Sequence, residues 1–395
     1  MIEKIVEIID KKYLEYKDNL PISLFGGLTG LAVYYFYMAK YLNKEEYLNR
    51  GNEILNNTIL QVNEGLVNPP KVIHSYSYGL AGVAFTFLHL KQNGFIDFDV
   101  EENFQALDDF FITASQKDYE KEISDFLHGP IGILYYFAKR TPNDYMHEKI
   151  EILVDLFLKY AIDEFDKIKI RNTLLEQDYN EFDFGIAHGQ AGCLMVFSEL
   201  YQNGYKSDKI ISVIKKLTNY ILSMEEKNMA ITDGNSFFPS SVNETYPLKS
   251  RENFINYKSR LAWCYGDLSI SLALNKAGAA TGNSILVNKS IQIAKETTIR
   301  RKVKETDVKD IYFCHGASGV GYIYKKFYYS SGIQDFADGC AFWEKICEDQ
   351  FKLLDPQKIG ANEALNFLEG LPGVALTLME SENKSFLSWD SYFLL

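Results

Sequence analysis

At 395 residues, the chain is long enough for two or three ordinary domains or for one large closed architecture. Hydrophobic residues make up 47% of the sequence, with 27 Tyr and 27 Phe, which predicts a folded protein with an extended core and excludes general disorder. The formal net charge of −12 argues against nucleic acid as a partner, because nucleic-acid affinity rests largely on Lys and Arg side chains that neutralise phosphates.

The first twenty residues spread charges through an apolar pattern that includes Ile2, Ile5, Ile8 and Ile9. This pattern predicts an amphipathic helix, and it lacks the uninterrupted apolar core of a secretory signal peptide. The five cysteines are odd in number and scattered in spacing, so they do not predict a disulfide framework. We therefore expect a cytoplasmic protein whose cysteines are either buried apolar residues or functional thiolates.

An uncharged run of 19 residues, 21–39, comes next and meets the length criterion for a transmembrane helix. It contains three glycines together with Ser23 and Thr29, and the corresponding segments later in the chain are too short to span a bilayer. We therefore predict that this run forms a helix in the protein interior.

A short glycine signature recurs along the whole chain. Its seven copies begin 50 to 77 residues apart, a spacing that holds two helices of about 15 residues with their turns. The copies are GLTG (27–30), GLAG (79–82), GPIG (129–132), GQAG (189–192), GDLS (266–269), GASG (316–319) and GLPG (370–373). Self-similarity of this kind predicts one repetitive architecture.

Two kinds of helix alternate in this pattern. The segments after the signatures, such as LAVYYFYMA (31–39), are apolar on nearly every side, which predicts helices that are buried all round. The segments between them are amphipathic, with Ile210, Ile214 and Leu217 on one face of residues 208–224. Seven inner helices alternating with seven outer helices predict a double-layered α/α toroid, an all-α fold.

The toroid accounts for residues 1–395 as a single domain. The longest interval between signatures, 77 residues, holds a polar, turn-rich stretch at about 229–258. We predict that this stretch is a loop insertion over one end of the ring, bordering a substrate entrance.

If each signature opens an inner helix, the residues just before it lie at one end of the ring, near its axis. We expect the glycines to permit positive φ at each entry turn and close packing of the inner helices, and the seven helix N-termini to favour an anion at that end. The chemically unusual residues of the chain collect there: Asp125, His128, His188, Arg260, Trp263, Cys264, Tyr265, Cys314 and His315.

Cys264, Cys314 and His315 come from two neighbouring repeats and form a Cys₂His set. Two thiolates and one imidazole suit Zn²⁺ with its fourth tetrahedral position open, which is the catalytic arrangement. The alternative is that WCYG (263–266) and FCHG (313–316) are packing motifs whose cysteines happen to align, since three ligands fall short of a four-cysteine zinc signature.

The other cysteines and histidines lie inside helical patterns. Free cysteine in a helix is commonly a small buried hydrophobic residue, and we expect no chemical role for these side chains. They are Cys193, Cys340, Cys347, His74, His89 and His147.

The seven signatures, together with IAHG (186–189), WCYG (263–266) and CHG (314–316) in that order, resemble the lanthionine synthetase C proteins, the cyclases of lantibiotic biosynthesis. The resemblance spans essentially the entire chain. It implies an α/α toroid with seven helices in each layer, one catalytic Zn²⁺ per chain, and addition of peptide Cys thiols to dehydroalanine or dehydrobutyrine to form (methyl)lanthionine rings.

The resemblance also implies roles for individual residues. It assigns Cys264, Cys314 and His315 as zinc ligands and His188 as the acid/base. It places Asp125, Arg260 and Tyr265 at further active-site positions of the family. Arg260 either favours the developing oxyanion or is a structural partner of Asp125. Two departures from the family pattern are Ser269, in place of the second glycine of the fifth signature, and His128, where smaller residues are more usual.

The implied substrate is a dehydrated precursor peptide. The sequence leaves open whether the enzyme acts alone or in a complex with a lanthipeptide dehydratase and a transporter at the membrane. It also leaves open a non-catalytic peptide-binding or scaffold protein of the same fold, and a relative that adds glutathione to dehydrated proteins. Protein prenyltransferase β-subunits are disfavoured because their zinc ligands include a carboxylate and their ring has six helix pairs, and barrel glycosidases because no pair of acids precedes these glycines.

Overall fold

Helices alternate between two concentric layers in the computed structural model, which describes residues 1–65, 73–171, 180–226, 235–245, 255, 257–383 and 387–395. Within these ranges the inner helices are Leu28–Leu42, Leu80–Gln92, Pro130–Ala138, Gln190–Gln202, Asp267–Thr281, Ala317–Ser331 and Leu371–Asn383. The outer helices are Ile2–Tyr16, Glu45–Asn63, Gln105–Tyr119, Asp144–Tyr160, Asp208–Leu222, Ser284–Thr297 and Gln334–Leu353. The predicted seven inner and seven outer helices are confirmed for the described residues.

Short helical segments connect the two layers. They are the α-helices Val100–Asn103, Val303–Thr306 and Ala361–Leu365 and the 3₁₀ helix Lys17–Asn19. The last inner helix packs against both the first inner helix and the first outer helix, so the two ends of the series meet and the ring closes.

Burial separates the layers as the apolar patterns predicted. In the first inner helix every residue from 28 to 38 is buried, whereas the outer helix Asp208–Leu222 buries Ile210, Ile214 and Leu217 and exposes its other side. Among the described helices, none has both the length and the apolarity to cross a bilayer, and this includes the helix formed by the uncharged run.

The signature glycines serve close packing more than unusual backbone conformation. The expectation of positive φ at each turn is wrong at most positions: the first glycine is extended at Gly27, Gly129 and Gly316, and Gly266 alone of the signature glycines has a positive φ, 90°. A Cβ atom on the second glycine would instead collide with a backbone carbonyl six residues earlier, at 2.0 Å for Gly30. The residues just before each signature are here called its lead-in segment. Glycine is required at the second position because the lead-in segment folds directly over the start of the inner helix.

The fifth signature solves the same packing problem differently. Its second position is Ser269, which is fully buried, and the Ser269 hydroxyl accepts a hydrogen bond of 2.9 Å from the Ile186 N–H. The departure from the repeat pattern therefore provides a contact between the lead-in segment of the fourth repeat and the helix of the fifth.

Two short antiparallel strand pairs were not predicted. Ile162–Glu164 pairs with Lys167–Lys169, and Glu181–Asp183 pairs with Ser241–Asn243. The second pair joins the lead-in segment of the fourth repeat to the predicted insertion. Of that insertion, residues 229–234, 246–254 and 256 lie outside the described residues.

Residues 387–395, here called the axial segment, lie inside the ring, and the 3₁₀ helix Ser388–Phe393 forms most of this segment. Its carbonyl groups accept hydrogen bonds from Tyr76, Tyr135 and Trp263, which belong to the second, third and fifth repeats. The ring of Phe393 contacts four aromatic residues that stand two or three positions before a signature: Phe25, Trp263, Phe313 and Phe367. The axial segment therefore fills the centre of the toroid.

Candidate active site and metal centre

A cavity of about 260 Å³ lies where the lead-in segments converge. Its walls include Phe25, Tyr78, His128, His188, Arg260, Cys264, Tyr265, Cys314, His315, Asn366 and Glu369. Six of the seven predicted site residues line this cavity, and the seventh, Asp125, contacts one of them from behind.

Cys264, Cys314 and His315 form a compact cluster in the cavity wall. Each offers one donor atom, two sulfurs and a ring nitrogen, and the three atoms lie within 4.8 Å of one another. Backbone hydrogen bonds hold the two turns together, because the N–H groups of Trp263 and Cys264 both donate to the Cys314 carbonyl at 3.1 and 3.4 Å. The cluster is thus built by direct contact between the lead-in segments of repeats five and six.

The protons of this cluster are unevenly distributed. Hydrogen bonding to Cys314 and then to His315 lowers the pKa of Cys264 to about 5. The same bond to Cys264, together with burial, raises the pKa of Cys314 well above its usual range. Contact with Asp310 and with Cys264 raises the pKa of His315 to about 10. These shifts favour negative charge on Cys264 and positive charge on His315.

The donor chemistry of the cluster fits zinc. Zn²⁺ prefers tetrahedral sulfur and nitrogen ligands, with metal–ligand distances of about 2.0–2.3 Å, and donors this close to one another can meet at one ion. The cysteine side chains are almost completely buried, while His315 is partly exposed at the cavity. Three protein ligands beside a cavity leave one tetrahedral position for a substrate atom.

His188 and Asp125 form a second group at the same cavity. His188 Nδ1 lies 2.6 Å from Asp125 Oδ2, and the other carboxylate oxygen accepts the His128 backbone N–H at 2.5 Å. Burial alone would lower the pKa of His188, but the Asp125 carboxylate outweighs burial and raises it above its usual value. The arrangement therefore favours a protonated imidazole whose Nε2 is free of the Asp125 contact.

His128, to which the family resemblance assigns no role, also belongs to this group. Its ring stacks on Tyr78 at 5.7 Å and on His188 at 5.5 Å, and its Nδ1 lies 3.0 Å from Ser77 Oγ. Burial lowers the pKa of His128, so a neutral ring lies against the protonated His188. The available signal was its position directly before a signature glycine, which it shares with His188 and His315.

Arg260 reaches the cavity but does not pair with Asp125. Its guanidinium lies 3.2 Å from Asp307 Oδ2, in the lead-in segment of the next repeat, so the structural partnership with Asp125 is wrong. Both partners are more than a third exposed, and such pairs contribute little to stability. The physical reason for the difference is that the Asp125 carboxylate is already engaged by His188 and by the His128 backbone.

Tyr265 lies beside His188, with ring centroids 6.4 Å apart, and its hydroxyl donates to Asp183 Oδ2 at 2.9 Å. Burial and then Asp183 raise the pKa of Tyr265 far above its usual value, so the phenol stays protonated. Asp183 ends the strand that pairs with the insertion, and sequence reasoning missed it.

The remaining cysteines and histidines lie outside this cavity. Cys193 and Cys347 are buried as predicted, whereas Cys340 is half-buried and His147 is exposed on an outer helix. His74 pairs with Asp118 at 2.6 Å, and His89 is buried against the axial segment.

Together, fold and site define an α/α toroid protein with a candidate metal centre where its inner helices begin. The chain matches the family described as Lanthionine synthetase C-like protein over residues 18–394. It is 25% identical over 420 aligned positions to the nisin biosynthesis protein NisC of Lactococcus lactis subsp. lactis, covering 100% of this chain and 94% of that protein. A solved nisin cyclase shares its fold, with a TM-score of 0.77 and 21% identity over 99% of this chain and 96% of the other.

The chain therefore belongs to the lanthionine synthetase C-like family, as its signatures indicated.

Proposed function

We propose that this protein is a zinc-dependent lanthipeptide cyclase, which adds Cys thiols of a precursor peptide to dehydroalanine or dehydrobutyrine. One observation carries the proposal: two sulfur donors and one nitrogen donor meet at the same cavity as a carboxylate-held histidine. Membership of the family and the names of the relatives, a nisin biosynthesis protein and a nisin cyclase, support it.

Cys264, Cys314 and His315 would hold the zinc ion. When bound, zinc lowers the pKa of a coordinated thiol, so that a peptide cysteine with an ordinary pKa of about 8.5 is a thiolate at neutral pH.

His188 supplies the proton that the reaction needs. Attack of the thiolate on the β-carbon forms the C–S bond and moves the π electrons of the alkene into an enolate. The protonated His188 then gives its Nε2 proton to the α-carbon, and the proton lost by the thiol balances the one consumed. Asp125 holds the imidazole through Nδ1 and keeps it charged before transfer.

Positive groups around the cavity stabilise the negative charge of the enolate. The Arg260 guanidinium lines the cavity, and the inner helices direct their N-termini toward it. Tyr265 stays a neutral phenol bound to Asp183, and its ring packs beside the His188 imidazole.

The substrate of the proposed reaction is a peptide that already contains dehydro residues. A dehydratase must act first, because elimination of water from Ser or Thr is the reaction that creates these residues. The cavity of about 260 Å³ suits the two reacting side chains, while the rest of the peptide lies at its mouth. We place the protein in the cytoplasm, where it works alone or with a dehydratase and a transporter at the membrane.

The test is ring formation on a dehydrated peptide, followed by alkylation of free thiols and mass spectrometry. Cyclisation leaves the peptide mass unchanged and protects cysteines from alkylation. His188→Asn should slow protection by about 10²–10⁴-fold, the usual contribution of a general acid. His147→Asn, at an exposed histidine of an outer helix, is the matched control and should behave like the parent.

Two outcomes would contradict the proposal. A parent protein that leaves every cysteine open to alkylation would point to a peptide-binding role. A mass gain of one glutathione per dehydro residue, when glutathione is supplied, without ring formation would point to the glutathione-adding activity.

A further inference from the structure

We propose that Asp310 is a positioning residue for the metal centre, which fixes the tautomer and orientation of His315 so that Nδ1 is the nitrogen offered to the metal. The inference rests on the proposed zinc function and deepens it. His315 Nε2 lies 3.3 Å from Asp310 Oδ2, so this nitrogen faces a carboxylate and Nδ1 is the ring nitrogen left for the metal. A histidine that binds a metal through one nitrogen commonly directs its other N–H to a carboxylate in this way.

The Asp310 carboxylate is itself held in place. Its Oδ1 accepts the Tyr312 N–H at 2.9 Å, and its backbone carbonyl accepts the Ala317 N–H at 2.9 Å. Both bonds lie within the turn that carries Cys314 and His315. The carboxylate therefore cannot move without disturbing the turn that presents two of the three donors.

Gly316 has a specific reason to be glycine in this turn. A Cβ atom at position 316 would lie 2.2 Å from Asp310 Oδ1 and 2.4 Å from the backbone nitrogen of Tyr312, both well inside contact distance. The first glycine of the sixth signature thus provides the space that the Asp310 side chain occupies. This links the CHG motif to a carboxylate that stands four residues before Cys314 (314 − 310).

The fourth repeat carries the same pair of residue types at the same positions. Asp183 and His188 stand six and one residues before Gly189, as Asp310 and His315 stand before Gly316. In the fourth repeat, however, the acid binds the Tyr265 hydroxyl, and His188 takes its carboxylate contact from Asp125. The same local pattern therefore has a different role in each repeat. Asp183 binds Tyr265, whereas Asp310 orients His315, the proposed metal-binding histidine.

A second acid lies near the other nitrogen of His315. Glu369 Oε1 is 4.0 Å from Nδ1, and its side chain is about half exposed at the cavity. If the two acids acted through their charge alone, removal of either charge would reduce zinc affinity by a similar amount, because both charges lie close to the His315 ring. An orienting role belongs to Asp310 alone, since Glu369 lies on the side that would face the metal.

The experiment measures zinc affinity of the full-length protein by competition with a chelator of known affinity. Asp310→Asn keeps an oxygen for the Tyr312 N–H, so the turn is retained, but it removes the carboxylate from Nε2. We expect this variant to bind zinc about 10–100-fold more weakly than the parent, the usual loss for such partners. Circular dichroism checks that the variant is as helical as the parent.

Two control variants remove the same charge from nearby positions. Asp307→Asn alters an acid of the same lead-in segment that pairs with Arg260 and Lys309, and Glu369→Gln alters the acid near Nδ1. Asp307→Asn should keep zinc affinity within about threefold of the parent, and Glu369→Gln, which removes a charge near Nδ1 but no orienting contact, should lose less affinity than Asp310→Asn. Nitrogen-15 NMR of the zinc-loaded parent should report a protonated Nε2 on His315.

Parent-like zinc affinity in Asp310→Asn, or an equal loss in Glu369→Gln, would overturn the inference, as would a metal bound through Nε2. These results are distinct from a failure of the proposed function. In that case the parent itself binds no zinc, whereas here the parent binds zinc and forms rings while Asp310 has no influence.

Discussion

Asp125 and His188 are joined by a contact of 2.6 Å between Oδ2 and Nδ1, although they are 63 positions apart in the sequence. The contact crosses from the lead-in segment of the third repeat to that of the fourth. Because the carboxylate holds the ring through one nitrogen, the other nitrogen is available to deliver a proton.

Asp125→Asn should change the pH dependence of ring formation. In the proposed reaction the acid form of His188 is the active form, so the rate is full below the folded-state pKa and falls as pH rises through it. Asp125 raises that pKa above its usual value of about 6.5. Without the carboxylate, the rate should therefore begin to fall at a lower pH than in the parent. The variant should therefore lose more activity above neutral pH than below it.

The measurement is the rate of thiol protection in parent and variant across the pH range, at saturating peptide. Zinc content serves as the internal control, because Asp125 is not one of the three donors Cys264, Cys314 and His315. An unchanged descending limb in the variant would mean that the Asp125 contact doesn't set the charge of His188.

Cys264→Ala and Cys314→Ala should each lose the metal while the toroid stays helical. The parent should contain about one Zn²⁺ per chain, and removing one of three protein ligands leaves too few donors for tight binding. Elemental analysis gives the metal content and circular dichroism the helicity. Cys193→Ala, at a fully buried cysteine of the fourth inner helix, is the matched control and should retain zinc. Stoichiometric zinc in both ligand variants would remove these cysteines from the site.

Phe393→Ala should destabilise the whole ring. The side chain is completely buried among aromatic residues of several repeats, and truncation of such a phenylalanine typically costs about 3–5 kcal/mol. Urea unfolding measures the free energy of unfolding. Leu353→Ala, at a leucine that is 85% exposed, should change stability by less than about 0.5 kcal/mol. Equal losses in the two variants would show that the axial segment is not part of the core.

Shortening the insertion between residues 245 and 255 should weaken peptide processing while zinc is retained. The strand Ser241–Asn243 must be kept, because it pairs with the strand that ends at Asp183, whose carboxylate binds Tyr265 at the cavity. We expect a higher KM for the peptide, because the strand Ser241–Asn243 joins the insertion to the cavity wall through Asp183 and Tyr265. Parent-like kinetics in the shortened protein would separate the insertion from the substrate entrance.

The architecture and the three members of the candidate metal centre could be predicted from the sequence, because they follow from patterns that recur at each signature. Helix burial follows from which residues surround each signature, and Cys264 and Cys314 stand at equivalent positions relative to their glycines. Contacts between repeats could not be predicted in the same way. Whether Arg260 meets Asp125 or Asp307 depends on how far each lead-in segment reaches across the axis, and periodicity carries no information about that distance.

The axial segment escaped prediction for a related reason. Trp389, Tyr392 and Phe393 are apolar at irregular spacing, so they indicate burial without indicating a partner. Their partners are distributed over distant repeats and become neighbours only when the ring closes. Similarly, the role of Gly316 follows from the side chain of Asp310, which no glycine count reveals.

The position of the axial segment sets an order of events during synthesis. A ribosome makes residues 387–395 after every repeat that they contact, so Phe25, Trp263 and Phe313 lack their contact with Phe393 until then. Trp263 and Phe313 directly precede Cys264 and Cys314, the two cysteines of the candidate metal centre. A nascent chain therefore carries the side chains of the candidate site well before it has the aromatic layer that packs beneath them, and the cavity is completed only once residues 387–395 have been synthesised.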